Sequence, residues 1–113
     1  MTNLTDMTFL DGFTGGNADK KKKYISMFLQ LCPSALDSMK ASLDQLDYDA
    51  LRATAHSLKP QITYMGIKAG EPLVKDIEHR AGQRVEVEKL PALFSEFDQL
   101  CRQAMEELRQ RIA

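Results

Sequence analysis

Two residues one helical turn apart, His56 and Lys59, have the types and spacing in this sequence that best suit chemistry on an anionic group. An imidazole is mostly uncharged at pH 7, so it can act as a nucleophile without the help of a base. A lysine three residues further along a helix can reach an anion attached to that imidazole. The pair therefore indicates an acceptor site for a small anionic group.

The direction of His56 follows from the helix that must carry it. Apolar residues recur at intervals of four, three, four and three in this segment, at Leu51, Ala55, Leu58, Ile62 and Met65. Such a stripe faces the core of an amphipathic helix. With roughly 100° of turn per residue, His56 points about 140° away from the stripe, toward solvent. An exposed histidine without a role is the alternative, and Lys59 beside it argues for a site.

Pro60 removes a hydrogen bond from the same helix at the histidine. Because proline has no N–H, the carbonyl four residues back, that of His56, loses its donor. The cost in an ordinary helix interior is about 3 kcal/mol, which tertiary packing must offset. Either the helix bends here to wrap the bundle, or the bend shapes the surface around His56.

Two helices are predicted before the helix of His56, and they are expected to pack against it. Residues 1–16 end in a Gly-Gly breaker and are expected to be a lead-in, either loose or in a short helix. Asn17 is a good N-cap for a helix whose apolar residues follow at helical spacing. Pro33 is expected to stop or kink that helix, and a second helix is expected to carry the apolar residues from Leu36 to Leu46.

The predicted bundle is completed by the C-terminal half. Asp47 caps the helix of His56, and a glycine ends it. Pro72 starts a further helix that ends before Gly82, and Pro91 lies in the first turn of the last one. Because short connections make consecutive helices antiparallel neighbours, we expect an all-α protein: an antiparallel up-down four-helix bundle with an additional N-terminal helix. It should form a single domain over residues 1–113, with the bundle in 17–113.

The composition excludes several classes of function. The 113 residues carry a net charge of −1, so bulk electrostatics favour neither a nucleic-acid nor a membrane partner. No apolar stretch is long enough to span a bilayer, and the N-terminus does not resemble a secretory signal. We therefore expect a cytoplasmic protein. Cys32 and Cys101 lie in apolar helical contexts and are expected to be buried and reduced, with a disulfide as the alternative.

The segment Ala55-His56-Ser57-Leu58-Lys59, with Gly66 ten residues after the histidine, resembles the signature of histidine-containing phosphotransfer (HPt) domains of two-component phosphorelays. The region from Asn17 to Leu46 resembles the two helices that precede the family's histidine helix. The resemblance covers about Thr5 to the C-terminus.

This resemblance implies roles for individual residues. His56 would be the phosphoacceptor, and Lys59 would help to neutralise the phosphoryl group. Gly66 would keep the neighbouring surface low, so that a receiver domain can approach. Many family members have a polar residue on the next helix that orients the histidine. Glu78 occupies about the right position, and an exposed glutamate without a role is the alternative.

The sequence departs from the family's pattern directly after the motif. The family often has Gly at the place of Pro60 and a small hydroxyl residue at the place of Gln61. Gln61 is therefore expected either to form a hydrogen bond at the site or to pack at the edge of the core. We expect the docking surface to comprise Arg52, Pro60, Thr63 and Gly66.

The mechanism implied by the resemblance is that of a carrier and not of an enzyme. The sequence has no P-loop, kinase-type phosphate loop or metal-ligand cluster, so no cofactor or metal site of its own is expected. Mg²⁺ is expected on the partner receiver domain. The expected partners are response-regulator receiver domains and a hybrid histidine kinase, with this protein a monomer. A methionine shortly before the resemblance begins favours a free-standing protein over an excised domain.

Two other readings compete with the carrier. The first is an adaptor, a bundle that binds a receiver-like partner without transferring a phosphoryl group. The second is a metal-binding bundle, which would need paired Glu-x-x-His motifs on inward faces. The chain has a single Asp76-x-x-His79 and an outward-facing His56, so the metal-binding reading is the weaker one.

Overall fold

The computed structural model describes residues 3–112, and over this range the chain folds into helices joined by short turns. The five α-helices are α1 Thr8–Phe13, α2 Ala18–Asp44, α3 Tyr48–Tyr64, α4 Gly70–Gln83 and α5 Leu90–Arg111. A 3-10 turn, Val87–Lys89, precedes the last helix. Helices α2 to α5 form the bundle and α1 is the additional N-terminal helix, so the predicted fold is confirmed. No helix in residues 3–112 combines the length and the hydrophobicity needed to cross a membrane.

Helix α2 continues through Pro33 as one helix, and the prediction of a separate second helix after it is wrong. Proline removes one backbone hydrogen bond, which weakens a helix without ending it when tertiary packing supports both sides. Phe28 and Cys32 before the proline and Leu36 after it are fully buried on one stripe. Their shared burial in the core holds the two halves of α2 in register.

The apolar stripe of α3 faces the core as predicted. Its five members, Leu51, Ala55, Leu58, Ile62 and Met65, are all at most 1% exposed. The opposite side of α3 therefore faces outward, together with His56. Helix α3 packs most extensively against α4, which brings residues of α4 beside the histidine.

Apart from Pro33, the helix ends follow the local signals in the sequence with one exception, the end of α4. The side chains of Asn17 and Asp47 accept hydrogen bonds from the backbone amides of Lys20 and Ala50, as helix caps. Gly82 was expected to follow the end of α4 but lies inside it, and the helix ends at Gln83 with Arg84 as its C-cap. A Cβ at Gly82 would lie 2.8 Å from the Cδ of Arg52, so this glycine leaves room for the Arg52 side chain to cross α4.

The two cysteines meet in the core between α2 and α5. Cys32 and Cys101 are free thiols with no exposed surface, as predicted. Hydrogen bonding with the Cys32 thiol, together with burial, raises the pKa of Cys101. Both cysteines therefore act as small core residues.

Candidate functional site

His56 lies in the middle of α3 with 65% of its side chain exposed. Its Nδ1 is 2.6 Å from Oε2 of Glu78, which α4 presents from the neighbouring helix. The predicted outward direction is therefore confirmed, and one ring nitrogen is engaged by a carboxylate. The exposed imidazole can be reached by another protein.

Glu78 is a bridge between His56 and Lys59. Its second oxygen, Oε1, accepts a hydrogen bond of 2.7 Å from the Lys59 ammonium. Only 17% of the glutamate side chain is exposed. The hydrogen bond from Lys59 lowers the pKa of Glu78 most, burial opposes the shift, and the hydrogen bond with His56 lowers it further. Glu78 is therefore ionised at neutral pH.

The charge of Glu78 determines which nitrogen of His56 carries the proton. An ionised carboxylate can only accept hydrogen bonds, so Nδ1 must be the donor. In the neutral imidazole the lone pair is then on Nε2, the other ring nitrogen. This tautomer leaves a nucleophilic nitrogen on the side of the ring away from the glutamate.

Lys59 is brought beside the imidazole through the same carboxylate and not by a direct bond to the ring. Its side chain is 31% exposed and keeps part of its aliphatic stem against the bundle. The site therefore contains one anion and one cation next to the imidazole. Lys59 lies three residues after His56 on α3, the helical spacing at which two side chains are neighbours on one surface.

Three predicted docking residues lie on the exposed side of α3 with the histidine. Arg52 lies one turn before His56 and its side chain crosses Gly82, while Pro60 is exposed one turn after. The hydroxyl of Thr63 donates a hydrogen bond of 2.7 Å to Glu71. These residues follow one another along the helix and frame the imidazole.

Gln61 and Gly66 are not brought together with His56. Gln61 is half-buried and lines a groove between α1, α2 and α3. Gly66 has a φ of +65°, and a Cβ there would overlap the carbonyl oxygen of Asp6 and lie 2.5 Å from its amide nitrogen. The N-terminal segment therefore packs against Gly66, which is half-buried.

Sequence reasoning missed an exposed apolar surface beside α3, which we call the aromatic groove. It is lined by Phe9, Leu10, Phe13, Tyr24, Met27, Leu31, Gln61, Tyr64 and Met65. Phe9 stacks on Tyr64 with ring centroids 5.1 Å apart, and Phe13 meets Tyr24 edge to face at 5.3 Å. The four-residue spacing of Phe9 and Phe13 was the available signal, since it places both on one side of a helix.

Residues 3–112 contain no group of three or more His, Cys, Asp or Glu side chains placed to hold a metal ion. Asp76 of the single Asp-x-x-His motif instead accepts a hydrogen bond of 2.9 Å from Arg80 on its own helix.

Comparisons with known proteins agree with this geometry. A family model of the Hpt domain matches residues 23–111. The crystal structure of histidine-containing phosphotransfer protein B (HptB) from Pseudomonas aeruginosa PAO1 is similar, with a TM-score of 0.88 and 25% sequence identity. The match covers 99% of this chain and 96% of that one. No curated protein sequence matches. Hpt domains are phosphocarrier modules that interact with response-regulator receiver domains, and the chain described here belongs to the Hpt domain family.

Proposed function

We propose that this protein is a phosphorelay intermediate in which His56 accepts a phosphoryl group from the aspartate of one receiver domain and passes it to another. The observation that carries this proposal is the hydrogen bond between Nδ1 of the exposed His56 and the ionised Glu78 in an Hpt domain. It leaves the lone pair on Nε2, which is the atom that would form the bond to phosphorus.

The transfer step needs little covalent chemistry from this chain. Nε2 of His56 attacks the phosphorus of the aspartyl phosphate in line, the N–P bond forms, and the bond to the aspartate oxygen breaks. The aspartate leaves as a carboxylate. The partner supplies this residue and its Mg²⁺, and the present chain supplies position. The reverse sequence loads the aspartate of the next receiver.

Glu78 and Lys59 would stabilise opposite charges during this step. The ring becomes positively charged when Nε2 attacks, and the carboxylate 2.6 Å from Nδ1 stabilises that charge. The ammonium of Lys59 neutralises part of the phosphoryl charge, either while it stays on Glu78 or by turning away from it. Glu78 is thus already in place for the step, and Lys59 is held one turn from the histidine by the same carboxylate.

Receiver docking would use the exposed side of α3 and its continuation into the aromatic groove. Pro60 and Tyr64 lie one and two turns after His56, which is about 6 and 12 Å along the helix axis. A partner that buries about 800 Å² on each side spans that distance easily. Arg52 adds a charge on the other side of the histidine. We further propose that the phosphoryl group originates on a hybrid histidine kinase and that this protein acts as a monomer.

Incubation with a phosphorylated receiver tests the proposal. The expected product is a label on this protein that is labile to acid and stable to alkali, as a phosphoramidate is. His56→Ala should abolish it, while His79→Ala, which changes the other histidine, should leave it intact. A label that persists in His56→Ala would contradict the proposal. Binding of several receivers without any label on the wild type would instead identify an adaptor.

A second variant separates the orientation of the imidazole from the simple presence of a histidine. Glu78→Gln keeps the size of the side chain but presents an N–H₂ group to either Lys59 or His56. We expect transfer to slow about tenfold, the effect of one charge-assisted hydrogen bond at a partly exposed site. Glu71→Gln, which changes the carboxylate bound to Thr63, is the matched control. An unchanged rate in Glu78→Gln would remove the orienting role.

A further inference from the structure

Residues 3–7, which we call the N-terminal strap, are fixed to the far end of the chain. The carboxylate of Glu107 in α5 accepts hydrogen bonds from the amides of Leu4 and Thr5 at 2.7 and 3.3 Å and from the Thr5 hydroxyl at 2.7 Å. Arg111 donates to the same hydroxyl at 3.1 Å. Although burial opposes it, the hydrogen bonds from Thr5 and Leu4 lower the pKa of Glu107, which is therefore ionised.

The strap is also fixed to the end of α3. The Asp6 carboxylate accepts hydrogen bonds from the amide and hydroxyl of Thr8, at 2.9 and 2.6 Å, and forms an ion pair of 3.0 Å with Lys68. The Asp6 backbone crosses Gly66 at a separation that leaves no room for a Cβ. The φ of +65° at Gly66 adds a second reason for glycine, because other residues adopt it with strain.

Helix α1 follows the strap directly and depends on it for its position. A helix of six residues is too short to be stable alone, since isolated helices below about 12 residues are marginal in water. Leu10 packs into the core, while Phe9 and Phe13 remain 46% and 63% exposed on the groove side. The strap thus sets where the two phenylalanines stand relative to Tyr64 of α3.

We propose that Gly66 is a positioning residue whose role is to seat the N-terminal strap, so that α1 presents Phe9 and Phe13 as part of the receiver-docking surface. This inference rests on the proposed function, because it assumes that receivers dock there. It assigns the glycine a different role from leaving space for the partner. Since the Asp6 backbone packs against the half-buried Gly66, a receiver that docks in that region would contact mainly the strap and α1.

The test compares Gly66→Ala with Gly15→Ala. Gly15 has a φ of +61°, nearly that of Gly66, but a Cβ there has no neighbour within 4 Å. The two substitutions therefore share the backbone strain and differ in the overlap with the strap. Three quantities are measured for each variant: KM and kcat for transfer from a phosphorylated receiver, amide hydrogen exchange of residues 8–13, and labelling of His56 by phosphoramidate, a small donor that needs no docking.

For Gly66→Ala we expect KM to rise about tenfold, which corresponds to a modest loss of docking contacts. The amides of α1 should exchange faster, while kcat and labelling by phosphoramidate should stay near the wild-type values. Gly15→Ala should change KM by less than about twofold, because it disturbs no packing. A second variant, Glu107→Gln, weakens the hydrogen bonds that hold the strap to α5 and should also raise KM. If Gly66→Ala fails to fold, this variant tests whether the position of the strap affects docking.

Two results would overturn the inference. One is faster exchange in α1 with an unchanged KM, which would mean that α1 takes no part in docking. The other is reduced labelling by phosphoramidate, which would mean that Gly66 acts on the histidine itself. In either case wild-type transfer to His56 would still stand. Absence of any label on the wild type would instead refute the proposed function.

Discussion

Glu78 links the imidazole of His56 and the ammonium of Lys59 through a single carboxylate. Helical periodicity alone directs His56 outward and puts Lys59 one turn away, so these two could be selected from the sequence. The resemblance to HPt domains then indicated Glu78, on a different helix. The surroundings of Gln61 could not be predicted in this way. Its side chain lies beside α1 and α2, and the positions of those helices depend on tertiary packing.

At this scale the pKa of Glu78 gives a test of the charge arrangement. Its folded-state pKa is lowered below the ordinary value of 4.5, mostly by the hydrogen bond from Lys59. Lys59→Met should therefore raise this pKa more than His56→Ala does, as followed by NMR titration of the glutamate carboxyl carbon. Equal shifts in the two variants, or a larger one in His56→Ala, would contradict the assignment.

The same lowered pKa predicts the direction of the stability change with pH. A carboxyl whose folded pKa is depressed stabilises the protein fully above its unfolded pKa, near 4.5, and loses that contribution as the pH falls through the folded value. In Lys59→Met this part of the acid-induced loss of stability should shrink. Urea unfolding of the wild type and the variant between pH 3 and 7 measures the difference.

Among the elements, α2 shows where local signals mislead. Pro33 correctly predicts that one backbone hydrogen bond of the helix is missing. The sequence does not show whether burial of the neighbouring side chains is enough to offset the loss of that bond. The buried stripe on both sides of Pro33 decides the outcome, and one helix forms. The contact of Asp6 with Gly66 could not be predicted from the sequence either. A glycine at this position is already explained by its place just after the end of α3, so nothing in the sequence indicates that the N-terminal segment packs against it.

The two helix-interior prolines should respond differently to replacement by alanine. Each replacement restores an amide donor, and the gain in unfolding free energy is at most about 3 kcal/mol. Pro60 is exposed and should show the larger gain, whereas Pro33 is half-buried and its removal also leaves space in the packing. Chemical denaturation measures both. A loss of stability in Pro60→Ala would show that α3 requires a shape that only proline provides.

For the molecule as a whole, the all-α bundle could be predicted because the apolar residues recur at helical spacing in the sequence. The stripes do not determine which stretches of surface stay apolar after packing. The aromatic groove arises because α1 covers only part of the junction of α2 and α3, leaving Phe9, Phe13 and Tyr64 partly exposed. Exposed apolar surfaces of this kind commonly mark interaction sites.

The cysteine pair in the centre of the bundle allows opening of the whole molecule to be measured. Cys32 and Cys101 have no exposed surface, and hydrogen bonding with Cys32 together with burial raises the pKa of the Cys101 thiol. Since the thiolate is the reactive form, neither cysteine should react with an aromatic disulfide reagent at pH 8 in the native protein, and both should react in guanidinium chloride. Under native conditions the slow reaction should then follow unfolding of the whole bundle, so that a destabilising core variant such as Phe97→Ala accelerates it, whereas the surface variant Glu71→Gln does not. Rapid reaction of either thiol in the folded wild type would mean that the interface of these two helices opens locally, without unfolding of the bundle.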